Sequence, residues 1–104
     1  DGYLFRDYTT TDELVDSGIM ESRGYGDKNV QVYNTDESAG VDWLVLGSHN
    51  ASAWQTIHTS TGVLGAGQGA HAVVMHPWNF IKAQARSASA GMPATMSAYI
   101  TMRR

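Results

Sequence analysis

Apolar and polar residues alternate at every second position along most of this chain, and no segment carries a convincing 3.6-residue period. That pattern constrains the fold more than any other feature, because a period of two sends successive side chains to opposite faces of a strand. "VQVYNT" sets Val30 and Val32 on one side and Gln31 and Tyr33 on the other. "VDWLVLGS" is apolar on both faces from Trp43 to Leu46, as in a central strand covered on both sides. "AWQTIHT" alternates again, and "AHAVVMH" is another dense run. In "FIKAQARS", Ile81, Ala83 and Ala85 point one way while Lys82, Gln84 and Arg86 point to water. "TMSAYITMR" turns Met96, Ala98, Ile100 and Met102 inward.

Between these runs stand "GYGDKN", "NTDESAG", "GSHNAS", "TGVLGAGQG", "HPWN" and "SASAGMPA". Their Gly, Asn, Asp and Pro residues supply the backbone angles a reversing chain needs. Short strands punctuated every ten residues or so predict an all-β fold, an antiparallel β-sandwich of jelly-roll or immunoglobulin-like type with about 7–9 short strands. Trp43, Val45, Ile81, Ala83, Ala98 and Ile100 are expected between the sheets. The one helical candidate is "TTTDELVDSG", where Thr10 and Glu13 could form a capping box; "LVDSGIMES" reads equally well as strand. The organisation expected is an N-terminal arm, residues 1–10, followed by a single sandwich domain, residues 11–104.

Composition narrows the function classes. The chain has 104 residues and no cysteine, which excludes disulfides, zinc–thiolate sites and thiol catalysis. A formal net charge of −3 argues against a nucleic-acid partner. No apolar run approaches the ~20 residues of a membrane helix, and no signal-peptide pattern is read. Charged residues are only 16% of the chain, against about 25% in ordinary soluble domains. A protein whose faces are covered by neighbours needs less charge, so the composition points to an assembly component. A small Ser/Thr/Gly-rich β domain is the plainer alternative.

Chemistry-bearing motifs are sparse. Four histidines occur, but with no His-x-His or His-Glu-x-x-His spacing. His71 and His76 fall on opposite faces of one run, and structural or solvent-facing roles suit all four. No Gly-x-Ser-x-Gly elbow is present. The glycines of "GVLGAGQGAH" lead into another β run rather than a helix, so a hairpin loop explains them better than a nucleotide site. Asp36, Glu37 and Asp42 could hold calcium, or simply solvate a turn. Asn50-Ala51-Ser52 fits a glycosylation sequon but carries little weight. Trp43 is expected in the core, with Trp54 and Trp78 plugging the ends of the sandwich. No catalytic residue, metal or cofactor is expected.

The stretch "YNTDESAGVDWLVLGSHNASAWQTI" runs as strand, Asn-Thr turn, central strand, Gly-Ser-x-Asn-x-Ser-x-Trp corner and next strand. It resembles corners in discoidin-type carbohydrate-binding domains and in small β-sandwich structural proteins of tailed viruses, of capsid decoration or tail-associated type. The second resemblance extends to the Gly-rich hairpin, "PWNFIKAQARS" and the closing "ATMSAYITMRR", and so spans roughly Gly24 to Arg104. It implies that Gly47, Ser48, Asn50, Ser52 and Trp54 form a structural corner, with Ser48, Asn50 and Ser52 bonding backbone amides and Trp54 packing beneath. It further implies a non-enzymatic component of the virion, most of all a capsid decoration (cement) protein acting as a homo-oligomer on the major capsid protein or another virion protein. A carbohydrate-binding or adhesin-type module is the alternative. "DGYLFRDYTT" is unusually aromatic for a chain end, so Tyr3, Leu4, Phe5 and Tyr8 are expected to make subunit contacts, unless the arm pairs with its own sheet.

Overall fold

A computed structural model describes residues 2–60 and 62–103, apart from the side chains of Gly2, Tyr3 and Leu4. The chain is all-β, with two antiparallel sheets packed face to face. Its strands are β1 (Gly2–Thr9), β2 (Val15–Asp16), β3 (Met20–Glu21), β4 (Asp27–Asn34), β5 (Val41–Ser48), β6 (Gln55–Thr59), β7 (Gly69–Val74), β8 (Phe80–Ser87) and β9 (Thr95–Arg103). One sheet has the order β1-β9-β4-β7. The other has the order β2-β8-β5-β6, with β3 also pairing β8.

β2 and β3 are two pieces of one strand position. Both lie along β8, Val15 opposite Ala85 and Met20 opposite Ile81. Gly18, at φ 104°, breaks the strand between them, and Ser17 bridges the break by donating its N–H to the Ala83 carbonyl at 2.9 Å. Counted as one, they leave two sheets of four strands between which the chain alternates. That is the jelly-roll connectivity rather than the immunoglobulin one. Among the named strands, only β5 and β6 are both consecutive in sequence and neighbours in a sheet. The "GSHNAS" stretch is their turn.

The alternation read from sequence fills the space between the sheets. Val30, Val32, Val41, Val45, Ile81, Ala83, Ala85, Ala98 and Ile100 are fully buried, with Trp43, Met96 and Met102 nearly so. Each buried Val or Ile contributes on the order of 1.5–3 kcal/mol. Trp43 stands opposite Ala85 in the register, a large ring beside a small residue, as close packing requires.

Two expectations need correction, and one alternative is decided. Of helix and strand over "TTTDELVDSG" and "LVDSGIMES", strand forms: β2 and β3 lie there, and no helix occurs among the described residues. In the "TTTDELVDSG" segment the Thr11 hydroxyl accepts from the Glu13 N–H at 3.2 Å, a local turn bond that competes with helix. Thr10 is buried instead, its hydroxyl meeting Ser87 and Ala94 at 2.9 Å each. Residues 2–9 are also no free arm. β1 pairs along its whole length with β9, from Gly2 opposite Met102 to Thr9 opposite Thr95, so the segment is an edge strand of its own sheet. Lys82, lastly, does not reach water. It is only 8% exposed, because Asp16 holds its ammonium at 3.2 Å and the Trp54 ring lies 4.4 Å from it.

Candidate contact surface and corner

The corner begins where β5 ends. An ideal Cβ on Gly47 would lie 2.5 Å from Cδ2 of Trp78, so only glycine lets that ring lie flat against the strand. The Ser48 hydroxyl accepts from the N–H groups of Asn50 and Ala51 at 3.2 and 2.9 Å. Asn50 Oδ1 in turn accepts from the N–H groups of Ser52 and Ala53 at 2.9 and 2.8 Å. Ala51 takes φ 61°, a left-handed conformation for a residue other than glycine. The ring beneath Gly47 is therefore that of Trp78, whereas Trp54 lies over Lys82 on the outer face of the same sheet. Trp78 follows a Pro, and that corner is tied into the fold by main-chain bonds. Its carbonyl accepts from the Ser22 hydroxyl at 2.6 Å, and Asn79 donates to the His49 carbonyl at 3.0 Å.

Two histidines flank this tryptophan. His49 stacks on Trp78 at 4.8 Å between centroids, His76 tilts against it at 4.9 Å, and the two imidazoles lie 6.1 Å apart. Lys28, buried beside them at the start of β4, donates to the His76 carbonyl at 2.9 Å. Burial lowers its pKa, opposed by the neighbouring Asp27 carboxylate. The other two histidines are elsewhere. His58 packs on Trp43 at 4.8 Å, and His71 is exposed on β7. Among the described residues no three His, Asp or Glu side chains gather as metal ligands. The acidic cluster disperses as well. Asp36 accepts from the N–H groups of Ser38, Ala39 and Thr95 at 3.1, 2.9 and 3.3 Å, and Asp42 faces Arg86 at 3.9 Å. Hydrogen bonds from the Ala39 and Ser38 amides, in that order, hold the Asp36 carboxyl below its ordinary range.

The expected contact residues of β1 divide between faces. Tyr3 and Leu4 have side chains outside the described residues. Tyr8 turns inward and packs on the core. Its hydroxyl is buried without a hydrogen-bond partner. Burial, then the Asp16 charge, pushes its pKa up. Phe5 faces outward and is 44% exposed. It sits opposite Tyr99 on β9, with ring centroids 4.6 Å apart. Tyr99 meets Tyr33 of β4 edge-on at 5.7 Å. Tyr33, 41% exposed, lies opposite Gly69 on β7, where an added Cβ would come within 2.7 Å of its ring. A diagonal aromatic strip thus crosses three strands, Phe5 to Tyr99 to Tyr33, and ends over a bare glycine. The rest of this face includes Gln31, His71, Asn29, Thr101 and Ser97; Asp7 is hydrogen-bonded to Ser97. Alternation in "VQVYNT" already turned Tyr33 outward. That Tyr99 and Phe5 align with it depends on a register that pairs residues from opposite ends of the chain.

These features define a jelly-roll β-sandwich with an exposed aromatic sheet face. No family model matches the sequence, and no curated protein matches it significantly. Solved structures do share the fold. The PBSX exported protein XepA superposes with a TM-score of 0.73 at 11% identity, over 98% of this chain and 37% of that one. The pre-peptidase C-terminal domain of a collagenase from Bacillus anthracis gives a TM-score of 0.66 at 10% identity, over 93% of this chain and 87% of that one. A protein of the IBDV viral particle gives 0.52 at 7% identity, over 98% of this chain and 30% of that one. Such low identities establish a common fold. The roles of these proteins differ, as jelly-roll proteins do generally.

Proposed function

We propose that this chain is a non-enzymatic structural component of a virus particle, a decoration subunit that binds the major capsid protein or another virion protein and resists the separation of its neighbours. The observation that carries this reading is the Phe5–Tyr99–Tyr33 strip on a sheet face with little charge. Contiguous exposed aromatic surface of this kind marks contact sites, and aromatic side chains are enriched where interfaces bury most. The scarcity of charge across the sequence fits a surface that neighbours cover. The fold is one that capsid proteins use, and the likeness to the IBDV particle protein agrees with it.

Co-sedimentation tests the reading. The purified chain is mixed with tailed-virus particles from the strain that encodes it, and the pellet is assayed for bound chain. Binding is expected, and Phe5→Ala with Tyr33→Ala should weaken it severalfold while leaving the fold intact. Absence of the chain from pelleted particles would overturn the proposal. A second reading, a carbohydrate-binding module, is favoured by one detail: the half-exposed Tyr33 ring stands beside the bare Gly69, an exposed aromatic of the kind that can stack on a sugar. Binding to a glycan array that Tyr33→Ala abolishes would select it.

A further inference from the structure

A sheet in a sandwich has two edges, and each exposed edge is a template for another strand unless something blunts it. Three of the four edges here are blunted. β1 carries Arg6 on the side of the strand that otherwise faces the core, yet exposed, with Asp7 beside it. β2 and β3 are two residues each. β6 is bulged, its register against β5 slipping between Val45 and Leu46. β7 has none of these devices. "GAHAVV" contains no charge and no proline, and its pairing with β4 runs unbroken from Val74 opposite Lys28 to Gly69 opposite Tyr33. Val73 is 62% exposed.

The hydrogen-bond parity of β7 follows from the turn before it. The Asn34 N–H donates to the Gln68 carbonyl at 2.8 Å. Stepping by two along the register, Ala70, Ala72 and Val74 turn their main-chain groups toward β4. Gly69, His71 and Val73 therefore turn theirs to the open side, and their side chains lie on the outer face with the aromatic strip.

We propose that β7 pairs antiparallel with β7 of a second copy, about a two-fold axis through His71, so that two four-stranded sheets become one continuous sheet. This inference stands apart from the virion reading. In this register His71 faces His71 of the second copy, and Val73 faces Gly69 of the second copy. All three outward N–H groups of each strand then find a carbonyl. The pairing is self-complementary in shape as well. Val73 is well exposed on this edge, and it comes to rest where the opposing strand has no side chain and the Tyr33 ring forms a wall. Symmetry makes that contact twice. No charge on β7 faces its own copy, and strand addition supplies main-chain bonds in addition to the apolar contact.

Sedimentation velocity and native mass measurement over a range of concentrations test this on four versions of the chain: unaltered, His71→Pro, Val73→Lys and His71→Cys. The His71 N–H is not used by β4, so proline there spares the internal ladder. The unaltered chain should show a monomer–dimer equilibrium. His71→Pro and Val73→Lys should each raise the dissociation constant by about tenfold or more, as edge proline and lysine do in natural sheets, with unchanged circular dichroism. Should the proline variant fail to fold, Val73→Lys still decides. His71→Cys should cross-link on mild oxidation in a chain otherwise free of cysteine, since directly opposed residues place their Cα atoms about 5.5 Å apart. A chain that stays monomeric, a dimer indifferent to folded edge variants, or His71→Cys that does not cross-link would overturn the proposal. So would β7 pairing only with a strand from another protein.

Discussion

The two ends of the sandwich are closed by different means. At one end, ring packing does most of the work: Trp78 lies on Gly47 with His49 and His76 against it, and the hydrogen bonds of Ser48 and Asn50 join residues within a few positions of one another. At the other end, buried polar side chains join segments far apart. Asn34 donates to the carbonyls of Ala39 and Leu64 at 2.7 and 2.9 Å. Thr10 ties Ser87 to Ala94, and Asp36 reaches the Thr95 amide. The contrast separates two tasks. The polar end locks loops to one another and leaves few groups for a partner. The aromatic end rests on ring packing over one glycine, with Ser22, Lys28 and Asn79 bonding its main-chain carbonyls, and leaves two imidazoles exposed.

Substitutions can break this contrast. Gly47→Val should have the largest effect, about 3 kcal/mol of lost stability, because the new side chain must displace a buried ring. Chemical denaturation measures it, and a loss under 1 kcal/mol would mean that Trp78 moves freely. Asn34→Ala should cost about 2 kcal/mol by removing the side-chain donor to the Ala39 carbonyl and one of the two donors to the Leu64 carbonyl. The same denaturation series reads it.

Acid should expose a difference in kind. The folded Asp36 carboxyl titrates below its unfolded value, so its contribution is present above the unfolded pKa and disappears as pH falls through the folded one. Asp36→Asn should flatten the acid limb of the stability curve; a variant whose limb matches the unaltered protein would remove Asp36 from the account. Tyr8→Phe should act in the opposite direction and raise stability by about 1 kcal/mol, since it deletes a buried hydroxyl that has no partner. A thermal melt shows the sign. His49→Ala should change stability least, within about 0.5 kcal/mol, because an exposed residue away from caps and cavities rarely matters more. A larger loss would make the stacked imidazole part of the corner's support.

Much of the fold was legible because a period of two assigns faces without reference to neighbours. The inward sets of β4, β8 and β9 came from alternation alone, and Trp43 from the two-sided apolar run around it. What alternation cannot carry is partnership across the sheets. Lys82 looked solvent-facing because its cover, Asp16 of β2 and Trp54 before β6, comes from distant parts of the chain. The resemblance implies Trp54 beneath the corner, whereas Trp78 fills that place, because the Pro-Trp corner before β8 folds back against Gly47. The first ten residues read as an arm because their partner, β9, lies at the far end of the chain. The aromatic strip was half visible: Tyr33's orientation was clear, while its alignment with Tyr99 and Phe5 needed two registers.

The order of the strands also governs how a nascent chain can fold. β8 and β9, which follow the other seven strands in sequence, occupy interior positions, β8 between β2 and β5 and β9 between β1 and β4. Until they leave the ribosome, β1 has no strand to pair with, and the pieces β2 and β3 have none either. Of the final pairings, β5–β6 and β4–β7 alone can form before β8 and β9, and an isolated pair of strands is marginal at best. Closure of both sheets therefore waits on long-range pairings, which are intrinsically slow. A ribosome that stops before Phe80 releases a chain in which neither sheet can close.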